Sequence, residues 1–363
     1  MTGAAMAQDP IPPAVSAGDT SIATAPRPVS KERYRPELDG IRAICIIFTV
    51  LNHIPIHLPW INGEAGVDIF FPLSGWLITS LIIREFQETT QFNLKSFYIR
   101  RAFRILPLYY FMVSVYIFLV TFGFKKNGIE ELKFALPFMT TLNMELRPPQ
   151  AGSLFGHAWT LGIEEKFYIV WPMLLAIGWR NPWRMAAGVI LLFLTISLIF
   201  DASGFLVRSY GGLGCGALLS VLSFRLPALR ALLARSAVQM AFLGLVIAAY
   251  GWSIVVRGNV FADLPVSVSA AFLISSLWFN HQTVIGRWLT VWPLPWLGRL
   301  TYALYLIQSL CVRLVMTIFK ALHIPQMVLP IFVAAYALAI LFAWVMHVAL
   351  EKPVIRFGRR YAN

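Results

Sequence analysis

Long apolar runs, each broken by a few polar positions, alternate with short polar stretches along almost the whole chain. The runs are roughly 17–25 residues long, the length that an α-helix needs to cross the hydrocarbon core of a bilayer. The pattern predicts ten helices, near residues 40–58, 64–83, 103–122, 156–178, 186–200, 210–224, 238–256, 264–280, 298–319 and 327–349. Because most connections are short, the sequence predicts an all-α polytopic membrane protein with about ten transmembrane helices in one bundle.

The two ends of this pattern differ from the middle. Residues 1–30 are rich in Ala, Pro, Ser and Thr and hold no apolar run, which is typical of a disordered segment. We therefore expect a disordered cytoplasmic tail over 1–30 and a transmembrane domain over 31–363. More lysines and arginines fall on the side of the N-terminus than on the other side, so the positive-inside rule predicts both termini in the cytoplasm.

Composition narrows the class of protein further. The chain is 58% hydrophobic and 13% charged, whereas soluble domains carry about 25% charged residues. The net charge of +13 makes nucleic acid a partner to consider. The basic residues are dispersed between apolar runs and form no nucleic-acid-binding motif, so the expected partner is the lipid bilayer. The histidine pair His53 and His57 has no third ligand nearby in sequence, and we expect no metal site.

Two apolar runs carry ionisable residues, which cost about 2.5–3.5 kcal/mol each inside a membrane and usually face a cavity or a partner. In "RAICIIFTVLNH", Arg42 and His53 are eleven residues apart, so they share one helix face roughly 16 Å apart. In "HAWTLGIEEKFYIVWP", Glu164 and Glu165 lie well inside a predicted span. Their expected depth matches that of His53, and helical periodicity directs Glu165 about 100° away from Glu164. We therefore favour Glu164 as the partner of His53.

Other polar positions leave alternatives open. Asp68, early in the second predicted helix, either orients His53 or caps the start of its own helix. His53 itself is either a reactive group or a hydrogen-bonded core histidine, with the glutamates joining helices. In "KSFYIRRAFRILP", Arg100, Arg101 and Arg104 either bind phosphates or anchor the chain at lipid headgroups.

Small residues in two other runs indicate close packing of helices. "GGLGCG" at 211–216 opens a predicted span and follows no strand, so we interpret it as a packing surface and not as a nucleotide-binding loop. Ser74 in "FPLSGW" has no base beside it in sequence and is interpreted in the same way.

Several motifs, in this order, resemble the membrane-bound acyltransferase family 3 of bacteria, which includes many cell-surface polysaccharide O-acetyltransferases. They are "YRPELDGIRAICIIFTVLNH", "GVDIFFPLSGWLITSLIIRE", "FYIRRAFRILPLYY", "HAWTLGIEEKFYIVWP", "LGRLTYALYLIQ" and the terminal "LEKP". The resemblance covers roughly residues 34–356. One departure is Gln308, which stands where many members have a histidine.

The resemblance implies an enzyme of the bacterial inner membrane that transfers an acyl group, most often acetyl, from acyl-CoA to a hydroxyl of a glycan or glycolipid. In this interpretation His53 is the general base, with Glu164 as its partner. Arg101 and Arg104, with Arg100 beside them, bind the phosphates of acetyl-CoA, and Arg42 holds a donor phosphate or carbonyl. The alternative function is a multi-pass transporter or flippase that uses His53 and Glu164 as a proton relay.

Overall fold

The computed structural model describes residues 34–56, 58, 60–122, 156–178, 181, 183–188, 190–191, 195, 205–256 and 262–361. These residues form helices and their connections, and no strand occurs among them. The helices with assigned bounds are α1 Pro36–Asn52, α2 Ala65–Thr89, α3 Leu94–Thr121, α4 Trp159–Ile177, α5 Phe205–Arg225, α6 Pro227–Leu233, α7 Ser236–Val255, α8 Leu264–Phe279, α9 Val284–Leu289, α10 Leu294–Ala321, α11 Val328–Met346 and α12 Lys352–Arg359. Residues 183–188 are also helical. A 3-10 turn, Gly156–Ala158, precedes α4, and a π-helical turn, His347–Glu351, joins α11 to α12.

Most of the predicted helices have a counterpart at the expected place. The predicted helix 186–200 falls largely outside the described residues, as do the predicted tail over 1–30 and His57. Within the described ranges, five helical segments are long and apolar enough to cross a membrane, or six if the bent pair of α5 and α6 is one span. The all-helical class is confirmed, whereas the count of about ten spans is not.

The first helix ends earlier than predicted. We expected 40–58, but α1 runs from Pro36 to Asn52. Pro55 explains the early end, because it has no N–H to donate to the Leu51 carbonyl and its ring would collide with that group. The result is that His53 directly follows the helix instead of lying inside it.

The third helix begins earlier than predicted, at Leu94 instead of residue 103. The side chain of Asn93 accepts a hydrogen bond from the Ser96 backbone N–H at 2.9 Å, which is the usual way for asparagine to cap a helix start. The helix start thus lies nine residues earlier than predicted, so Arg101 and Arg104 lie about two and a half turns further into the helix than the sequence indicated.

Close packing of α2 against α5 confirms the interpretation of the glycine-rich stretch. A Cβ at Gly216 would collide with the Pro72 carbonyl, and a Cβ at Gly75 would collide with the Leu213 carbonyl. Glycine at both positions lets the two backbones approach to contact, as small residues do between membrane helices. This contact fixes the face of α2 that carries Ser74 toward α4.

Candidate active site

A cavity of about 100 Å³ lies between α1, α2, α3, α4 and α10. Its wall combines cationic, acidic, hydroxyl and apolar side chains. The polar members are Arg42, Thr49, Ser74, Arg101, Arg104, Thr160, Glu164, Glu165, Tyr168, Arg299, Thr301, Tyr302 and Tyr305. Four predicted site residues, Arg42, Arg101, Arg104 and Glu164, are thus brought together. Ionisable groups gathered inside an apolar bundle indicate a functional site.

The arginines of the cavity keep most of their N–H donors available. The guanidinium carbon of Arg101 lies 4.8 Å from the centre of the Tyr168 ring, a cation–π contact. In the part of the chain that the structure describes, Arg101 and Arg104 form no ion pair, while Arg42 Nη1 lies 2.9 Å from Asp39 Oδ1. An aromatic face orients a guanidinium without using its N–H groups. The cavity therefore presents donors suited to phosphate oxygens.

Both glutamates of α4 line the cavity, so the predicted 100° offset does not remove Glu165 from it. Ser74 Oγ donates a hydrogen bond to Glu164 Oε1 at 2.5 Å. The contact gives Ser74 a polar role that its sequence context did not indicate. Glu164 and Glu165 are 6% and 8% exposed, so each carboxyl needs polar partners inside the protein.

His53 is oriented by the end of α1. Its backbone N–H bonds to the Val50 carbonyl at 3.1 Å, which leaves the Thr49 carbonyl without its usual helical donor. The His53 Nδ1 atom fills that position, 2.7 Å from Thr49 O. Because a carbonyl oxygen only accepts hydrogen bonds, Nδ1 carries the proton and Nε2 bears the lone pair. This tautomer is the one that a general base at Nε2 requires.

The predicted hydrogen bonds from His53 to a carboxylate are absent among the described residues. Glu164 is bonded to Ser74, and Asp68 is bonded to Arg208. The physical reason is the early end of α1, which makes a main-chain carbonyl the nearest acceptor for the His53 ring.

A second imidazole, that of His157, lies beside His53. The ring centres are 5.8 Å apart and the ring planes are nearly perpendicular, at 88°. His157 is buried, and its Nδ1 lies 3.1 Å from Ser309 Oγ on α10. His157 is not among the predicted site residues, although in the sequence it lies seven residues before Glu164, a spacing of two helical turns.

The imidazole pair and the cavity share a wall. Thr49 lines the cavity and its carbonyl holds His53. On the other side, Tyr305 lines the cavity, its hydroxyl donates to the His157 carbonyl, and the same hydroxyl lies 2.5 Å from Thr160 Oγ1. Neither histidine lines the cavity itself, but each contacts a residue of its wall, His53 through Thr49 and His157 through Tyr305.

Two predicted site residues lie elsewhere. The buried Asp68 pairs with Arg208, with Nε–Oδ1 at 2.5 Å and Nη2–Oδ2 at 2.8 Å. Arg100 is absent from the cavity wall, its side chain is 47% exposed, and its Nη2 lies 3.6 Å from Glu85 Oε2. Around α3, Arg100 lies about 40° from Arg104 and about 100° from Arg101, so helical periodicity alone does not separate it from them. Its side chain is instead paired with Glu85.

Comparison with known proteins identifies the family of the chain that carries this site. A family model described as "Acyltransferase domain" matches residues 35–348. The chain belongs to this acyltransferase family. The matched range includes every cavity residue and both histidines. With the apolar helices described above, membership indicates an acyltransferase domain embedded in a membrane.

Curated relatives of the acyltransferase domain carry related names. "Putative peptidoglycan O-acetyltransferase YrhL" of Bacillus subtilis (strain 168) is 31% identical over an alignment of 309 residues, which covers 76% of this chain and 48% of that protein. "O-acetyltransferase OatA" of Staphylococcus aureus (strain NCTC 8325 / PS 47) is 35% identical over an alignment of 153 residues, which covers 39% of this chain and 25% of that protein. The chain thus spans half or less of the length of these relatives. No solved structure matches the chain.

Proposed function

We propose that the protein is an integral membrane O-acyltransferase that moves an acyl group, acetyl in the simplest case, from acyl-CoA to a hydroxyl of a carbohydrate or glycolipid. The names of the relatives support acetyl as the group and a cell-wall glycan as the first acceptor to test. The proposed location is the bacterial inner membrane, with both termini in the cytoplasm, as the distribution of lysine and arginine favours.

The donor side of the proposal rests on the arginines of the cavity. Arg101 and Arg104 carry guanidiniums without ion pairs in the described part of the chain, and such groups bind phosphate oxygens in pairs of parallel hydrogen bonds. We assign them to the phosphates of acyl-CoA. Arg42 lies on the helix that leads to His53, roughly 16 Å away by helical rise. Arg42 is therefore assigned to a phosphate or carbonyl of the donor, between the phosphate site and His53.

One observation carries the catalytic assignment, namely the hydrogen bond from His53 Nδ1 to the Thr49 carbonyl. It presents a neutral imidazole with a lone pair at Nε2, next to a residue of the cavity wall. Neutral imidazole accepts a proton near pH 7, which suits a general base. We propose that the acceptor hydroxyl meets the thioester at this end of the cavity.

The proposed step balances without any other reactant. The acceptor hydroxyl gives its proton to His53 Nε2 while its oxygen attacks the thioester carbonyl. The C–S bond then breaks, an ester forms, and the CoA thiolate takes the proton from the imidazolium. The main-chain carbonyl of Thr49 holds the ring throughout, in the orienting role that a carboxylate has in serine-protease triads. Glu164 then acts in the donor cavity, through Ser74, and not on His53.

Replacing His53 tests this proposal. Membranes containing the full chain would be given acetyl-CoA with a labelled acetyl group and purified cell-wall glycan. We expect His53→Gln to lower acetyl transfer by about 10²–10⁴-fold, the usual contribution of a general base. Exposed His323 offers a matched control, and His323→Asn is expected to transfer acetyl at the wild-type rate.

The outcomes separate the function classes. Wild-type transfer by the His53→Gln protein would refute the general-base assignment. Solute flux without any covalent labelling of glycan would refute the enzyme and support the transporter. Labelled glycan in the wild type, lost in His53→Gln and kept in His323→Asn, would support acyl transfer at His53.

A further inference from the structure

The carboxyl of Glu165 differs from the other buried carboxyls near the cavity. Its Oε1 atom is buried and has no hydrogen-bond partner within the described structure. In contrast, Glu164 receives a hydrogen bond from Ser74 at 2.5 Å, and Glu351 pairs with His347 at 2.8 Å. Glu165 is thus the acidic residue of the cavity wall that retains an unfilled acceptor.

An unfilled acceptor at this depth calls for a ligand. A buried polar atom without a partner costs about 1–3 kcal/mol, and native proteins keep few of them. A carboxylate oxygen only accepts, so the missing partner must bring an N–H or O–H group. The arginines that line the same cavity do not fill this role, since no ion pair joins them to Glu165 among the described residues.

The other residues of the cavity wall indicate a long ligand that carries anionic, apolar and N–H groups. Arg101 and Arg104 suit an anionic group, and the apolar side chains of Ile46, Val67 and Leu161 suit methylene groups. A molecule that combines phosphates, methylene groups and N–H donors along one arm matches all three parts of the wall. The pantetheine arm of CoA has this composition, with amide N–H groups between its phosphate end and its thioester.

We propose that Glu165 recognises the pantetheine arm of the donor by accepting a hydrogen bond from one of its amide N–H groups. The inference rests on the acyl-CoA donor proposed above and adds a specificity-determining residue to that site. Glu165 thereby selects thioesters that carry an amide in the arm over simple alkyl thioesters.

Three acyl donors and four proteins test this proposal. The proteins are the wild type, Glu165→Leu, Arg101→Ala and Glu88→Leu. The donors are acetyl-CoA, S-acetyl-pantetheine, which lacks the phosphates, and S-ethyl thioacetate, which lacks phosphates and amides. We expect Glu165→Leu to lower kcat/KM about 10-fold or more with the first two donors. With S-ethyl thioacetate the same variant should equal the wild type.

Two variants serve as references. Arg101→Ala should lower kcat/KM with acetyl-CoA far more than with S-acetyl-pantetheine, because the second donor has no phosphate. Glu88 is exposed near the end of α2, outside the cavity wall, so Glu88→Leu should equal the wild type with every donor. Losses with acetyl-CoA in both variants, together with a large loss with S-acetyl-pantetheine in Glu165→Leu only, would support recognition of two parts of one molecule.

Several results would overturn the inference while leaving the proposed function intact. One is an equal loss in Glu165→Leu with all three donors. Another is a loss that falls on the KM of the glycan, which would assign Glu165 to the acceptor hydroxyl. If Glu165→Leu does not fold, S-acetyl-pantetheine with methylated amide nitrogens replaces it. The kcat/KM of the wild type should be about 10-fold lower with that donor than with unmethylated S-acetyl-pantetheine, and an equal kcat/KM would refute the proposal. Failure of the wild type to use or bind acetyl-CoA would instead refute the proposed function itself.

Discussion

Two regions of the molecule place arginines beside buried carboxylates, and they do so in opposite ways. In the Arg208 cluster, one guanidinium contacts three carboxylates: Asp68 at 2.5 Å, Asp263 at 3.3 Å, and Glu64. In the cavity, Arg101 and Arg104 make no ion pair within the described residues, although Glu164 and Glu165 line the same wall. Paired charges hold elements together, whereas unpaired charges inside a membrane protein are available to a ligand.

The Arg208 cluster also helps to position His53, the proposed base. Asn62 Nδ2 donates to Asp263 Oδ1 at 3.0 Å, and the Glu64 N–H donates to Asn62 Oδ1 at 3.1 Å. Between them, Gly63 lies so close to the last turn of α1 that a Cβ would collide with the Phe48 carbonyl. The Arg208 cluster thus holds the chain against the turn that precedes His53. The sequence left open whether Asp68 orients His53 or caps α2, and its bond to Arg208 makes any effect on His53 indirect.

Removing Arg208 should have the largest effect on stability. Arg208→Ala leaves the buried carboxylate of Asp68 without its partner, and breaking a buried ion pair in this way costs about 3–5 kcal/mol. We expect a large fall in the thermal unfolding temperature of the purified protein in detergent. An Arg208→Ala protein as stable as the wild type would show that the cluster is not structural.

Removing Arg101 should instead affect donor binding with little change in stability. A hydrogen bond to a charged group contributes about 1.5–3 kcal/mol, so Arg101→Ala should raise the KM for acetyl-CoA about 10–100-fold. Steady-state kinetics measure the KM for acetyl-CoA, and thermal unfolding of the same preparation measures the stability. A loss of stability as large as that of Arg208→Ala would remove the contrast between the regions.

Removing Ser74 tests the polar contact within the cavity. Ser74→Ala deprives Glu164 Oε1 of its donor, which should cost about 1–3 kcal/mol of stability or transition-state binding. Thermal unfolding and kcat together measure which of the two changes. Ser74→Cys retains a weak donor and should lose less than Ser74→Ala. An unchanged Ser74→Ala protein would contradict a role for this contact.

Removing Arg100 should have the smallest effect. Its half-exposed pair with Glu85 contributes about 0–1 kcal/mol, as surface ion pairs do. We expect Arg100→Ala to keep the wild-type KM for acetyl-CoA and nearly the wild-type unfolding temperature. A KM rise equal to that of Arg101→Ala would restore Arg100 to the phosphate site that the sequence predicted.

The helical class and much of the cavity could be predicted from the sequence, because both depend on periodicity. The apolar runs indicate helices, and the three-residue spacing of Arg101 and Arg104 brings both to one face. The packing of "GGLGCG" against α2 followed from residue size alone.

The missed features depend on contacts between distant residues or on the end of a helix. The bonds of Asp68 to Arg208 and of Glu164 to Ser74 join residues far apart in the chain, which periodicity does not reveal. The end of α1 was misplaced because the apolar run continues past Pro55, and hydrophobicity outweighed the proline signal. That single error concealed the acceptor of the His53 ring.

The bond between His53 and Thr49 has a consequence for how such a protein tolerates change. Its acceptor is a main-chain oxygen, which no amino-acid substitution removes. A change of side chain at residue 49, which is buried and lines the cavity, therefore leaves the ring its acceptor and its tautomer, provided that the helix still stops at the same turn. Insertions or proline replacements between residues 50 and 55 should disturb the orientation of the ring more than a change of side chain at position 49 does.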